Sequence, residues 1–221
     1  MDELRLRADF DRREAVDTER LPWAASPSAG VERRMLDRIG DEVARATSLV
    51  RYAAGGDFTP HVHELGEEFL VLEGVFSDEH GDYPAGVYVR NPPGSRHAPR
   101  SSEGCVILVK LRQMRPEESE RVVVDTREAT WRAAGEGLER LALFEDGRET
   151  VALERLAPAA ALPAAELPGG EEIFVLQGEL SDDAGRHGRG VWLRNPPGPR
   201  AACRSPGGAV YWVKRGHLGQ T

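Results

Sequence analysis

Short apolar segments separated by turn residues run through the chain, and this pattern predicts β-structure. The segments are rich in β-branched and aromatic side chains, which is typical of strands rather than helices. Turn signals such as Pro92-Pro93-Gly94 recur every ~8 to 12 residues, a spacing that favours a β-sandwich or a barrel. In the N-terminal half, the predicted strands are Ser48–Ala53, Phe69–Leu72, Gly86–Val89 and Val106–Leu111.

Two segments are less clear from this pattern. Val31–Arg38 is compatible with a helical turn, whereas its later counterpart Leu138–Phe144 is better described as a strand that ends at the Glu145–Gly147 turn. The first fifteen residues are either disordered or an edge strand that lies along the other half of the chain.

The chain also repeats itself. The segment Glu67–Gly74 (EEFLVLEG) matches Glu171–Gly178 (EEIFVLQG), and at the same offset of 104 residues VRNPPG from Val89 matches LRNPPG from Leu193. VDTERLPW, from Val16, resembles VDTREATW, from Val124, at an offset of 108. Two motifs that match at one offset indicate two tandem copies of a single unit.

We therefore predict two all-β domains, at residues 1–115 and 116–221. The boundary is placed in the polar, proline-containing stretch around Arg115–Ser119. Each half is of ordinary domain size.

Composition narrows the function classes. Of the 221 residues, 29 are Lys or Arg and 37 are Asp or Glu, which gives a net charge of −8 and argues against nucleic-acid binding. Apolar runs are too short to span a membrane, and the charged N-terminus lacks a signal-peptide core. Two cysteines, Cys105 and Cys203, give no disulfide framework. These features predict a cytoplasmic protein.

A cluster of metal-ligand residue types occupies the first copy. His61 and His63 alternate so that both point to one face of a strand, Glu67 follows, and His97 comes after the Pro-Pro-Gly turn. Three imidazoles and one carboxylate suit a first-row divalent metal ion. We predict that these four residues are its ligands.

The second copy keeps the surrounding motifs but not this set. At the sequence offset, His61 corresponds to Ala165, His63 to Leu167 and His97 to Ala201. Glu67 alone has a like counterpart, Glu171. The sequence therefore predicts a metal in the first copy and none in the second.

The run GDFTPHVHELGEEFLVLEG, followed by YPAGVYVRNPPGSRH, resembles the double motif of the cupin superfamily. More narrowly, residues 55–110 resemble the cupin domain of ChrR-type anti-sigma factors, and equally the small cupin dioxygenases that act on acetylacetone or dihydroxyacetophenone. Residues 165–215 resemble a degenerate copy. The resemblance implies two tandem cupin barrels, each a double-stranded β-helix or jelly roll. It also implies zinc held by His61, His63, Glu67 and His97.

The resemblance leaves the activity open. ChrR-type proteins carry an N-terminal helical module with its own Cys/His zinc site, and the residues before the first barrel contain neither cysteine nor histidine. We expect that module to be absent.

The metal bears on the activity. Tetrahedral zinc favours a sensing or regulatory role, whereas iron, nickel or manganese would leave positions for substrate and favour a dioxygenase of diketones or aromatic ketones. A small-molecule ligand in the first barrel and a homodimer are both compatible with the sequence.

Other residues carry weaker expectations. Core packing is expected for Tyr52, Phe69 and Tyr88, and solvation or an anionic ligand for Arg96 and Arg100. Glu68 is expected on the strand face opposite Glu67, and is the replacement ligand if Glu67 does not coordinate. Loop positions are expected for His80, His187 and His217, and a buried side chain for Cys105, while a redox role is a minor alternative for Cys203.

Overall fold

The computed structural model describes residues 3–57 and 59–219, and it confirms the all-β prediction. A short 3₁₀ helix, Thr18–Arg20, accompanies the strands. The strands before residue 130 are β1 (Arg5–Leu6), β2 (Glu14–Asp17), β3 (Ala24–Ala25), β4 (Val31–Ile39), β5 (Arg45–Tyr52), β6 (Gly56–Asp57), β7 (His61–His63), β8 (Glu67–Asp78), β9 (Gly81–Pro84), β10 (Val87–Asn91), β11 (Ser95–His97), β12 (Arg100–Ser101), β13 (Cys105–Leu111) and β14 (Val122–Asp125). The later strands are β15 (Arg132–Gly135), β16 (Leu138–Glu145), β17 (Thr150–Leu156), β18 (Ala161–Leu162), β19 (Ala165–Leu167), β20 (Glu171–Asp182), β21 (Gly185–Gly188), β22 (Val191–Asn195), β23 (Gly198–Arg200), β24 (Cys203–Arg204) and β25 (Ala209–Arg215).

The strand predictions of the first copy are confirmed at β5, β8, β10 and β13. Val31–Arg38 forms strand β4, not a helical turn, as its counterpart β16 also does. Pairing with β5 along its whole length decides this, because tertiary contacts override a weak local preference.

The chain forms two compact units with the same strand order. The large sheet of the first unit runs β1-β4-β5-β13-β8-β10-β14, and that of the second runs β15-β16-β17-β25-β20-β22-β2. Each unit also has a two-stranded sheet, β7-β11 in the first and β19-β23 in the second. The repeat in the sequence therefore corresponds to a repeat in topology.

The two compact units exchange short segments of the chain. The first unit comprises the residues through Ala8 together with Pro22–Ala129, and the second comprises Asp9–Leu21 together with the chain from Thr130 onward. Strand β2 pairs with β22 of the second unit, so among the first fifteen residues the alternative of an edge strand on the other copy holds for Glu14 and Ala15, whereas Arg5–Leu6 pairs with β4 of the first unit. Strand β14 pairs with β10 of the first unit.

The repeated VDT motif makes the same contact in both units. In the second unit, the Thr18 hydroxyl donates to the Gly190 carbonyl at 2.7 Å. In the first unit, the Thr126 hydroxyl donates to the Gly86 carbonyl at 2.6 Å. The VDT copy at residues 16–18 therefore makes this contact in the second unit, and the copy at residues 124–126 makes it in the first.

Each unit has its own apolar core between its sheets. In the first, Phe69, Phe76 and Val89 are almost fully buried, and the ring of Tyr52 meets Phe76 edge-on with centroids 5.6 Å apart. In the second, Val175 and Leu180 are fully buried. Burying each such side chain contributes ~1.5 to 3 kcal/mol before the entropic cost of folding.

A repeated glycine fixes the bend within the long strands β8 and β20. Gly74 has a φ of +69°, and a Cβ there would lie 2.0 Å from the Gly104 carbonyl oxygen. Gly178 has a φ of +71° and the same separation from the Gly208 carbonyl oxygen. A side chain fits neither position, which accounts for the glycine that ends both EE-containing motifs.

Among the described residues, no helix has the length and apolar character needed to cross a membrane.

Candidate metal centre

The three predicted histidines come from two paired strands. His61 and His63 lie on β7, and because side chains alternate along a strand they share one face. Strand β11 pairs antiparallel with β7 and places His97 directly opposite His61. Glu67 begins the next strand, β8. After the turn at Pro92–Gly94, β11 therefore runs alongside β7, the strand that carries His61 and His63.

This arrangement brings all four predicted residues together. One ligand atom from each of the three imidazoles lies within 4.8 Å of the other two. The Nε2 atoms of His63 and His97 are 2.8 Å apart. The Oε2 atom of Glu67 lies 3.5 Å from Nε2 of His63 and 3.4 Å from Nε2 of His97.

The donor set fits a divalent ion. Two ligands bound tetrahedrally at the usual ~2.1 Å are separated by roughly 3.4 Å, which is the spacing of Glu67 from both imidazoles. His63, Glu67 and His97 are buried, so their donor atoms have little access to bulk water. Nitrogen and carboxylate donors that converge in a buried site are the chemistry that zinc, iron, nickel and manganese accept.

Hydrogen bonds fix the orientation of two of the rings. Nδ1 of His61 lies 2.9 Å from the Thr59 carbonyl oxygen, and Nδ1 of His97 lies 3.2 Å from Oδ2 of Asp78. Since Nδ1 donates in each case, Nε2 is the ring nitrogen that carries the lone pair. Asp78 itself is held by the Tyr83 hydroxyl and the His80 backbone N–H.

Asp78 is a site residue that the sequence analysis missed. It lies at the far end of β8 from Glu67, and its separation from His97 in sequence gave no ligand spacing. A signal existed in the repeat, because Ser77-Asp78 recurs as Ser181-Asp182 at the offset of 104.

The buried groups of the cluster shift the pKa values of its members in different directions. Burial lowers the pKa of His63 and favours the neutral imidazole; the charge of Glu67 opposes this, and the charges of His97 and His61 add to it. Burial alone would raise the pKa of Glu67, but the three imidazoles and the Asn91 amide outweigh it and lower the pKa overall. Burial is likewise outweighed at His97, where the hydrogen bond to Asp78 and the charge of Glu67 raise the pKa.

The corresponding place in the second unit is built differently. Strand β19 pairs with β23 so that Ala165, the counterpart of His61, lies opposite Arg200. The prediction that Ala201 takes the place of His97 is therefore wrong, because β23 pairs one residue out of step with the sequence offset. Nε of Arg200 lies 3.1 Å from Oε1 of Glu171, so a guanidinium group stands beside the retained carboxylate.

Most of the secondary expectations are confirmed. Glu68 faces away from Glu67, and its carboxylate accepts from the Tyr88 hydroxyl at 2.6 Å and from Arg90 at 2.9 Å. Phe69 and Tyr52 pack in the core. Arg96 and Arg100 are exposed to solvent.

The remaining histidines and cysteines lie apart from the cluster. His80 occupies a turn as expected, but His187 is buried on β21 with its Nε2 3.0 Å from Asp182, so its prediction as a loop residue is wrong. His217 is in a loop and buried, 3.3 Å from Glu172. Burial raises the thiol pKa of Cys105 and of Cys203, which disfavours the reactive thiolate.

A cavity of about 520 Å³ in the first unit reaches this centre. His61, His63 and Glu67 form part of its lining. Apolar side chains, among them Val50, Ile107 and Leu111, form much of the remaining wall. A volume of this size accommodates a small organic molecule beside the cluster.

Comparison with known families gives a clear match in sequence. The model of the ChrR cupin-like domain family matches the chain twice, over residues 11–115 and residues 119–219. A search of curated proteins gives no significant match.

Solved structures with the same fold share little sequence with this chain. A candidate dioxygenase from Nostoc punctiforme superposes with a TM-score of 0.80 at 16% identity, covering 96% of this chain and 85% of the other. The protein Ylba of Escherichia coli gives 0.69 at 14% identity, with coverage of 94% and 91%. A Bacillus subtilis oxalate decarboxylase, described with Mn(II) centres, gives 0.61 at 10% identity, with coverage of 94% and 78%. At these identities, the likeness shows the fold.

Proposed function

This chain belongs to the ChrR cupin-like domain family, and from that premise we propose that its first unit holds one divalent metal ion and binds a small organic molecule beside it. The ligands would be His61, His63, Glu67 and His97, with zinc the favoured ion and iron, nickel or manganese as alternatives. The chain would then act as a metal-dependent sensing or regulatory module. The observation that carries the proposal is the convergence of these four side chains at the wall of a cavity.

The surrounding residues have defined tasks in this proposal. Asp78 and the Thr59 carbonyl hold His97 and His61 through Nδ1, so Nε2 is the atom of each ring that would coordinate. Asn91 donates to Oε2 of Glu67 at 3.2 Å and restricts that carboxylate. A bound ion would supply a Lewis-acid centre at the cavity wall. The apolar wall would exclude water and select ligands by shape.

Metal analysis tests the first part. Protein purified without added metal is expected to carry about one zinc ion per chain, since the site offers one set of four donors. The double variant His61→Ala/His97→Ala is expected to carry almost none. His80→Ala is the matched control, because this exposed turn histidine lies outside the cluster. Full metal content in the double variant would refute the site.

A dioxygenase is the second candidate, and the cavity is the observation that favours it. An apolar space of about 520 Å³ beside the cluster would admit a diketone or an aromatic ketone. Oxygen uptake by iron-loaded protein with acetylacetone, lost in the double variant and kept in His80→Ala, would support this candidate. Metal binding without oxygen uptake would count against the dioxygenase and favour the sensing role.

A further inference from the structure

One wall of the cavity in the first unit carries an arginine with spare hydrogen-bonding capacity. Arg33 on β4 lies opposite Val50 on β5, and both line the cavity. Its terminal nitrogens bind the Glu42 carboxylate at 2.9 and 3.3 Å. Its Nε is buried and has no hydrogen-bond partner among the described residues. A buried donor without a partner is costly, which favours an acceptor at this place.

The second unit shows what such an acceptor can be. Arg140 on β16 is the counterpart of Arg33, because it lies opposite Glu154 as Arg33 lies opposite Val50. Glu154 is fully buried, and its Oε1 accepts from Nε of Arg140 at 2.9 Å and from a terminal nitrogen at 2.7 Å. The arginine Nε at this position therefore binds the carboxylate opposite it in the second unit, whereas in the first unit Val50 stands opposite and Glu42 binds only the terminal nitrogens.

The residues around Glu154 fill space that is open in the first unit. The strand registers place Tyr211 at the position of Ile107, and Arg215 at that of Leu111. The Tyr211 hydroxyl donates to Glu154 at 2.8 Å, and Arg215 binds Glu154 at 2.7 and 3.0 Å. Larger side chains thus replace three cavity-lining residues, Val50, Ile107 and Leu111.

From this internal comparison, we propose that the cavity of the first unit binds a small organic carboxylate. Its carboxylate would bind Nε of Arg33, in the position that the Glu154 carboxylate takes in the second unit. Its apolar part would lie against Val50, Ile107 and Leu111, where the second unit has larger side chains. The inference deepens the proposed function, since it names the ligand class of the same cavity, but binding to Arg33 requires no metal.

A second arginine in the cavity wall favours an anion further. Arg38 also lines the cavity and is 3% exposed. Its guanidinium donates to the carbonyl oxygens of Gly40 and Asp41 rather than to a carboxylate. Burial lowers the pKa of Arg38, and the repulsive charge of Arg33 acts in the same direction, while the charges of Glu42 and Asp41 act against it. A ligand anion would relieve this repulsion.

Paired probes test the charge requirement. Benzoate, phenylacetate and 3-phenylpropionate are titrated into the whole chain by calorimetry, each against its neutral amide, with and without zinc. At least one acid is expected to bind about tenfold more tightly than its amide, since a charge-assisted hydrogen bond is lost in the amide. Equal binding of every pair, or no binding of any acid, would overturn the proposal.

Substitutions then locate the anion. Arg33→Gln is expected to remove the preference for the acid, while Arg51→Gln is the control, because Arg51 on the neighbouring strand pairs with Glu32 and does not line the cavity. A second variant does not depend on removing a structural arginine. Val50→Glu supplies the carboxylate of the second unit and is expected to abolish acid binding, whereas Val50→Gln is expected to retain it.

The results also separate this proposal from the metal site. Acid binding that persists without metal and in His61→Ala/His97→Ala, but not in Arg33→Gln, supports the proposal even if the metal site fails. Acid binding that requires zinc and survives Arg33→Gln places the carboxylate on the metal and overturns it.

Discussion

The first unit surrounds the Glu67 carboxylate with three imidazoles, whereas the second surrounds the corresponding Glu171 with two guanidinium groups. Arg200 and Arg215 lie 3.1 and 2.9 Å from the two oxygens of Glu171. Both units therefore keep a buried carboxylate and neutralise it, one with groups that can hold a metal and the other with permanent cations. The second unit therefore differs from the first by more than the replacement of three imidazoles, because the charge of the retained buried carboxylate must still be balanced.

Removing the permanent cation is expected to have the largest effect. Arg215→Leu introduces the residue of the first unit and leaves Glu154 and Glu171, both fully buried, without their shared cation. Breaking a buried ion pair in this way costs about 3 to 5 kcal/mol. The free energy of unfolding is measured by denaturant titration. Arg155→Ala, which breaks an exposed pair with Glu139, is the control and should cost at most about 1 kcal/mol. Equal losses would show that the buried network of the second unit contributes no more than an exposed ion pair.

Acid is expected to weaken the second unit through the same network. Burial would raise the pKa of Glu154, but Arg215 and Arg140 outweigh it and hold the pKa at about 2, below the ordinary 4.5. Because the folded pKa is depressed, the stabilisation is fully present above pH 4.5 and is lost as pH falls towards 2. It amounts to about 3 kcal/mol. Unfolding free energies of the wild type and of Glu154→Gln are compared from pH 6 to pH 2. If the unfolding free energies of the two proteins changed with pH in the same way, Glu154 would not be the group whose protonation weakens the second unit.

Metal removal is expected to weaken the first unit. A ligand present at a hundredfold its dissociation constant stabilises the folded state by about 2.7 kcal/mol. Calorimetry with and without a chelator should show that loss in the wild type and none in His61→Ala/His97→Ala. An unchanged melting temperature after verified metal removal would count against the proposed centre.

The smallest expected effect separates two aspartates at equivalent positions. Asp78 orients His97, whereas Asp182 meets His187 in the second unit. Asp78→Asn is expected to weaken zinc binding about tenfold, as is usual for residues that orient a ligand. Asp182→Asn should leave zinc affinity unchanged in a competition titration with a chromophoric chelator. Similar losses in both variants would show that the effect is not local.

The sequence was sufficient for the features that repeat or alternate. The shared EE and RNPPG motifs predicted two like units, and the alternation of His61 and His63 placed two side chains on one strand face. The turn before His97 then required that strand β11 return to β7, as the structure shows.

The missed features depend on register and on distant pairing. Asp78 reaches His97 only because β8 is long and bent at Gly74, which no local spacing reveals. Arg200 replaces His97 because β23 pairs one residue out of step, so the sequence offset misassigned the position. The sequence also left the exchange of edge strands undecided. VDT occurs in both copies, and the sequence alone does not say which strand each copy pairs with.

That exchange has a consequence for how the chain is made. Strand β14 emerges from the ribosome soon after the β10 strand that it completes, so the first unit can finish folding during synthesis. Strand β2 is made almost at the start, yet its partner β22 comes near the end. At ~5 to 20 residues per second, the interval is on the order of ten seconds. Protease sensitivity of residues 9–21 on a nascent chain would therefore report whether β22 has emerged from the ribosome and paired.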